Sequence, residues 1–110
     1  MSRAITRRPR AVQDLLGHYA YIFQGSPAAA ERFLAAADST FDSLARMPGL
    51  GHVFETDITR LRDIRVWPIR RFRKYLVLYR FSEDEVEILH VFHGAQDISG
   101  ILEAEESEQE

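Results

Sequence analysis

The residues of this 110-residue chain best suited to chemistry are its cations. Arg60, Arg62, Arg65, Arg70, Arg71, Arg73, Lys74 and Arg80 all fall between residues 60 and 80, a stretch that contains one acid, Asp63. Such a block is an electrostatic footprint for an acidic partner, polypeptide or nucleic acid. The competing reading is a solvated face of alternating strands, because clustered arginines also occur on ordinary surfaces. The histidines offer less. His90 and His93 differ by three, so on a strand they point to opposite faces and share no site without a bulge. A lone strand histidine is more often a packed or hydrogen-bonded structural group. Together with His18 and His52 they show no ligand spacing, so no metal is expected. The absence of cysteine removes disulfides, thiolate zinc sites and cysteine nucleophiles. No catalytic residue and no cofactor are expected.

The elements that must carry the cations are legible in the hydrophobic pattern. Residues 3 to 7 alternate and stop at Arg8-Pro9, a strand feeding a helix whose first turn takes the proline. Val12, Leu15, Leu16, Tyr19, Ile22 and Phe23 then recur as one helical stripe. Ser26-Pro27 supplies an N-cap and an N1 proline for a second helix, along which Ala30, Phe33, Leu34, Ala37, Phe41, Leu44 and Ala45 form another stripe. So short a joint folds the two helices back as an antiparallel hairpin. Pro48-Gly49-Leu50-Gly51 ends it.

The second half is β-rich. Leu61, Ile64, Val66 and Ile69 are the apolar members of a first strand, bent or bulged near Asp63. Lys74 to Phe81 is the clearest central strand, buried on both faces. Ser82-Glu83-Asp84-Glu85 is a turn, and Val86 to His93 pairs back as a hairpin. Asp97 to Leu102 reads as a single helical turn over the sheet edge. The expected fold is α+β: an N-terminal strand, then a two-helix hairpin packed on a mostly antiparallel sheet of about four strands.

Charge is distributed unevenly. Five of the 17 acids lie in the last eight positions, leaving 12 acids against 14 bases before them. Residues 1–102 are therefore expected to form a single domain, and residues 103–110, acidic and without apolar anchors, a disordered tail. The start of the chain lacks an apolar leader, and the longest apolar run, Tyr75 to Tyr79, is too short to span a bilayer. A soluble, cytoplasmic protein without membrane partners is expected.

Order and sequence together resemble the ParE toxins of the RelE/ParE superfamily, over residues 3 to 102. The stretches that carry the resemblance are Pro9-Arg10-Ala11-Val12-Gln13-Asp14-Leu15, Pro48-Gly49-Leu50-Gly51 and Leu61-Arg62-Asp63-Ile64-Arg65. Phe72-Arg73-Lys74-Tyr75-Leu76-Val77-Leu78-Tyr79-Arg80 and His93-Gly94-Ala95-Gln96-Asp97-Ile98 complete it. Family members usually carry arginine where Gln96 stands, which loses the fixed charge and fork of a guanidinium. That arginine either pairs with the following aspartate or contacts the target.

The resemblance implies the toxin component of a type II toxin-antitoxin system, which inhibits DNA gyrase and replication by binding, without turnover. Its target surface, on gyrase or gyrase bound to DNA, would be met by Arg65, Arg70, Arg71, Phe72, Arg73, Lys74 and Arg80. A cognate antitoxin would cover Tyr19, Phe23, Phe33 and Phe41 in a hetero-oligomer; core packing competes for these four and for Phe72. Two alternatives stay open. A RelE-like ribosome-dependent mRNA endoribonuclease could draw on His90, His93, Tyr75, Arg65 and Arg80, but no Lys, Arg or Tyr follows His93, and the strand position for a RelE-type arginine, around Leu76, is apolar. A degenerate antitoxin-binding module would poison nothing.

Overall fold

Residue 26 sets the helical layer. A computed structural model describes residues 2–94 and 96–108; Met1, Ala95, Gln109 and Glu110, including the end of the expected tail, lie outside the described residues. After strand β1 (Ala4–Arg7), helix α1 (Pro9–Gly25) starts with Pro9 in its first turn. It stops where Ser26 turns extended, its N–H still bonded to Ile22 O at 2.9 Å. The Ser26 hydroxyl accepts from Ala29 N at 3.1 Å and so caps helix α2 (Pro27–Arg46). One residue thus ends one helix and starts the next, as the sequence requires of a hairpin.

Strands β2 (His52–Val53), β3 (Arg65–Ile69), β4 (Phe72–Phe81) and β5 (Glu85–His93) follow, and helix α3 (Ile98–Glu108) closes the chain. The sheet runs β1-β5-β4-β3-β2, with β1 parallel to β5 and every other pair antiparallel. The helix hairpin therefore carries the chain from one sheet edge to the other. The expected α+β fold is present, with one short edge strand, β2, beyond the four anticipated. Leu61 and Ile64 precede β3 rather than belonging to it, Leu61 in a short 3-10 turn.

Each sheet face has its own core. Phe33, Ala37, Phe41 and Leu44 of α2, with Ala11 and Leu15 of α1, pack on Tyr75, Val77, Tyr79, Val86 and Ile88. On the other face Leu61, Ile64, Val66, Leu78, Leu89 and Phe92 surround Leu102 of α3. A bulge lets β5 serve both: Leu78 faces His90 while Tyr79 faces Ile88, so Leu89 is an extra residue. Before it, Val86 and Ile88 face the helices; after it, His90 and Phe92 lie on the far face.

Two corrections concern α3. It is a helix of 11 residues that covers the second sheet face, not a single turn at the edge, and the expected tail forms its end up to Glu108. Two acids of that end are paired, Glu105 with Arg10 and His90 and Glu106 with Arg60. No partner for them is visible in a local stretch of sequence.

Candidate functional site

The cation block reaches the surface through an irregular hairpin. Pro68 faces Leu76, and a regular ladder would set Ile69 against Tyr75; instead Ile69 faces Phe72. Arg73, Lys74 and Tyr75 are surplus on β4, at a proline that has no N–H to give a ladder. Arg70 and Arg71 make the turn, and Arg71 adopts φ 69, the left-handed region. A side chain there costs roughly 1–2 kcal/mol relative to right-handed backbone, which glycine avoids. Thr40 of α2 holds the turn from behind: its hydroxyl accepts from Arg70 N at 3.1 Å and donates to Ala36 O at 2.8 Å. Phe72 is half-buried, its ring edge-on to Phe33 at 5.4 Å.

Between this turn and α2 lies an open cleft of about 580 Å³, lined by Arg32, Ala35, Ala36, Ser39, Arg70, Arg71 and Phe72. Its lining holds three guanidiniums and no acid, and the alanines keep its α2 wall low. A second cleft of about 230 Å³ opens beside it, with Arg70 and Arg73 among its walls. Among the described residues, the side chains of Arg32, Arg70, Arg71, Arg73 and Lys74 make no ion pair or hydrogen bond. Elsewhere most cations are engaged, Arg7 with Asp38, Arg8 with Glu87, Arg10 with Glu105 and Arg60 with Glu106, while Arg46 and Arg62 stand singly without such a partner among the described residues. The hairpin end is thus a concentration of unneutralised charge beside a half-buried aromatic ring, an arrangement suited to carboxylate or phosphate oxygens.

Arg65 and Arg80 do not join it. They sit toward the opposite end of the strands; from Lys74 to Arg80 alone β4 rises about 20 Å at its usual rise per residue. Arg65 donates to Gly51 O at 2.6 Å and helps fix the Pro48–Gly51 turn. Buried Tyr79 completes that turn, donating to Pro48 O at 2.6 Å and accepting from Gly51 N at 2.8 Å. A Cβ on Gly51 would lie 2.5 Å from the Tyr79 hydroxyl, so glycine is required there. Arg80 leans on Arg60 O at 3.2 Å and Asp63 at 3.3 Å, on the other sheet face.

The residues expected to meet an antitoxin also divide. Phe33 and Phe41 are fully buried and offer no surface, because the α2 stripe is the core of the helical layer. Tyr19 is half-buried, its hydroxyl donating to Glu31 at 2.7 Å, and Phe23 is exposed beside it, ring centroids 5.8 Å apart. The buried line of α1 is Ala11 and Leu15, continued by half-buried His18 and Ile22. One residue around the helix, Val12, Leu16, Tyr19 and Phe23 form a second line, with Leu16 60% and Phe23 45% exposed. Sequence reading places Arg32 off the α2 stripe but not in the site, and sets Leu16 in the buried stripe of α1, where the structure leaves it 60% exposed.

The groups that a nuclease would need are separated by the sheet. Tyr75 and His93 meet on the helix-hairpin face, rings 5.0 Å apart, and burial raises the Tyr75 pKa. His90 lies on the other face, between Asp14 at 3.0 Å and Glu105 at 2.9 Å. Burial lowers its pKa, but the two carboxylates outweigh burial and raise it above the ordinary value. Gln96 accepts from His93 N at 2.7 Å through its side-chain oxygen, a bond that arginine, lacking an acceptor, cannot make. Among the described residues no group of histidines and acids could hold a metal ion, and no helix is long and apolar enough to cross a membrane.

Comparison with known proteins places these features in context. The family model of ParE toxins of the type II toxin-antitoxin system parDE matches residues 5–98. No curated protein sequence gives a significant match. Among solved structures, one described as a chromosomal ParDE TA system from P. aeruginosa is similar with a TM-score of 0.65 at 16% identity. The match covers 84% of this chain and 96% of that one, and at this identity it is a likeness of fold.

Proposed function

The chain belongs to the ParE toxin family of type II toxin-antitoxin systems, and on that premise we propose that it inhibits DNA gyrase by binding, through the hairpin end Arg70–Lys74. The observation that carries this reading is the group of cations, unpaired among the described residues, at Arg32, Arg70, Arg71 and Arg73, which line clefts without an acid, with Lys74 next to them in sequence. Like charges gathered on one small surface repel, and Arg71 bears left-handed strain as well. Folding gains nothing from either, whereas an acidic partner would. Phe72 adds an aromatic edge, and arginine with aromatic residues forms the usual energetic centre of an interface. Arg65 and Arg80 serve the fold.

The antitoxin is the second partner. Its segment is proposed to cover the apolar line Val12, Leu16, Tyr19 and Phe23 on α1, in a toxin-antitoxin hetero-oligomer. Amphipathic partners bind such lines through anchors at helical spacing. Gyrase binding and antitoxin binding then use different surfaces. No turnover is invoked, and the sheet keeps Tyr75 and His93 apart from His90.

Inducible expression in a bacterial host, with viability, an SOS reporter and bulk translation followed together, tests the proposal. Growth arrest with SOS induction and sustained early translation is expected, and both should disappear in Arg70→Gln/Arg71→Gln/Arg73→Gln. Immediate loss of translation without SOS would point to ribonuclease action instead, and no arrest to a module that only binds antitoxin.

A further inference from the structure

The sheet face turned away from the helix hairpin holds a cleft of about 450 Å³. Arg8, Arg10, Arg60, Arg80 and His90 line it, over a floor that includes Leu61, Ile64 and Leu89. Every acid in the lining, Glu105, Glu106 and Glu108, comes from the end of α3. Glu105 stands 3.1 Å from Arg10 Nη2 and 2.9 Å from His90 Nε2, and Glu106 stands 3.0 Å from Arg60 Nη1. His90 Nδ1 faces Asp14 of α1 at 3.0 Å, so both ring nitrogens meet carboxylates and both donate only as imidazolium. Arg80 adds a buried Nε with no hydrogen-bond partner. Without the last turns of α3, the charged residues left in this lining are all cations, of which Arg10 and Arg60 lose their carboxylates while Arg8 keeps Glu87, Arg80 keeps Asp63 and His90 keeps Asp14.

Helix α3 is attached in two different ways. Ile98, Ile101 and Leu102 pack into the second core, Leu102 at 4% exposure. Beyond Leu102 no described residue is buried, and the helix end is held by ion pairs. The Arg10 and Arg60 side chains are 55% and 64% exposed, so each of their pairs contributes about 0–1 kcal/mol and weakens with salt. A ligand carrying several linked anions displaces such pairs together and gains from released counterions, which a single carboxylate does not. A duplex is too wide for the cleft, whereas one sugar-phosphate backbone can follow a charged groove.

We propose that Arg8, Arg10, Arg60, Arg80 and His90 form a phosphodiester site for single-stranded nucleic acid, and that the acidic end of α3 is its built-in competitor. On binding, residues 103–108 leave the cleft while Leu102 stays anchored, so the apolar floor remains covered. The site is separate from the hairpin end and does not depend on gyrase being the target.

The test is fluorescence anisotropy of a labelled oligothymidylate of about 12 nucleotides, within the usual span of such grooves, titrated with the full chain. Glu105→Gln/Glu106→Gln should tighten binding about five- to tenfold or more, since it removes the pairs of Glu105 with Arg10 and His90 and of Glu106 with Arg60 that the ligand must otherwise displace. It should also steepen the slope of log K against log salt by about 1.4, because two phosphate contacts no longer free a glutamate that takes up a counterion. Adding Arg10→Gln/Arg60→Gln should abolish that gain, and Arg70→Gln/Arg71→Gln/Arg73→Gln should leave it in place. In the unaltered chain, the His90 ring nitrogen resonances should move as oligonucleotide is added. The proposal is overturned by unchanged affinity in the glutamine pair, by a gain that survives loss of Arg10 and Arg60, or by unmoved His90 resonances. Equal competition by polyglutamate of the same charge would assign the cleft to an acidic polypeptide and overturn it as well.

Discussion

Two sets of arginines sit on this small sheet, and they are treated in opposite ways. Around α3 and β1, Arg7, Arg8, Arg10 and Arg60 each lie within 3.1 Å of a carboxylate. At the β3–β4 turn, the side chains of Arg70, Arg71 and Arg73 have no partner among the described residues although α2, with Asp38 and Asp42, runs nearby. Acids are therefore available to this fold and are placed elsewhere. Cations that hold elements together are neutralised within the chain, whereas those gathered at the turn tie no elements together. Thr40 shows that the bare set is nonetheless positioned, since it ties the backbone at Arg70 and leaves the guanidinium free.

The largest effect expected from this contrast is on target binding. Arg70→Gln/Arg71→Gln/Arg73→Gln should weaken gyrase inhibition about a hundredfold or more, as for the loss of central interface arginines, with the thermal midpoint almost unchanged. Arg7→Gln/Arg8→Gln should do the reverse, keeping inhibition while lowering stability by about 1 kcal/mol or less. Purified variants compared by supercoiling inhibition and by thermal unfolding decide this. Equal loss of inhibition in both would erase the distinction.

Tyr79→Phe comes next. It leaves Pro48 O and Gly51 N without their buried partner and should cost about 1–3 kcal/mol in denaturant unfolding, without changing inhibition by the folded fraction. Arg71→Gly should act in opposite directions on the two properties: relief of the left-handed backbone stabilises by up to about 1 kcal/mol, while inhibition falls. A variant weakened in both would show that Arg71 has a structural partner in solution.

The smallest effect concerns pH. The raised pKa of His90 means that its carboxylate pairs contribute fully below the unfolded value of about 6.5 and fade as pH rises through the folded value. Amide exchange within α3, corrected for intrinsic rate, should therefore quicken in the alkaline direction. In His90→Gln that pH dependence should vanish.

Local signals in the sequence were enough for the helix hairpin, because Ser26-Pro27 needs only its neighbours to act as stop and start. They also located the central strand and the charged turn. They did not reveal which side of α1 faces inward, because Leu15 with Ile22 and Leu16 with Phe23 make equally apolar lines one residue apart. The bulge at Leu89 was hidden because residues on either side of it alternate correctly, only in different phase. Glu105 and Glu106 read as a solvated tail because Arg10 and Arg60 are distant in sequence, and Arg65 read as surface because its acceptor, Gly51 O, is a backbone atom.

The central claim is that the unpaired cations of the hairpin end are the toxin's contact with gyrase. The most direct measurement is inhibition of purified DNA gyrase in a supercoiling assay, comparing the unaltered chain with Arg70→Gln/Arg71→Gln/Arg73→Gln at matched concentration of folded protein. Inhibition by the first and its loss in the second is the predicted result. Equal inhibition by both, or none by the unaltered chain, would contradict it.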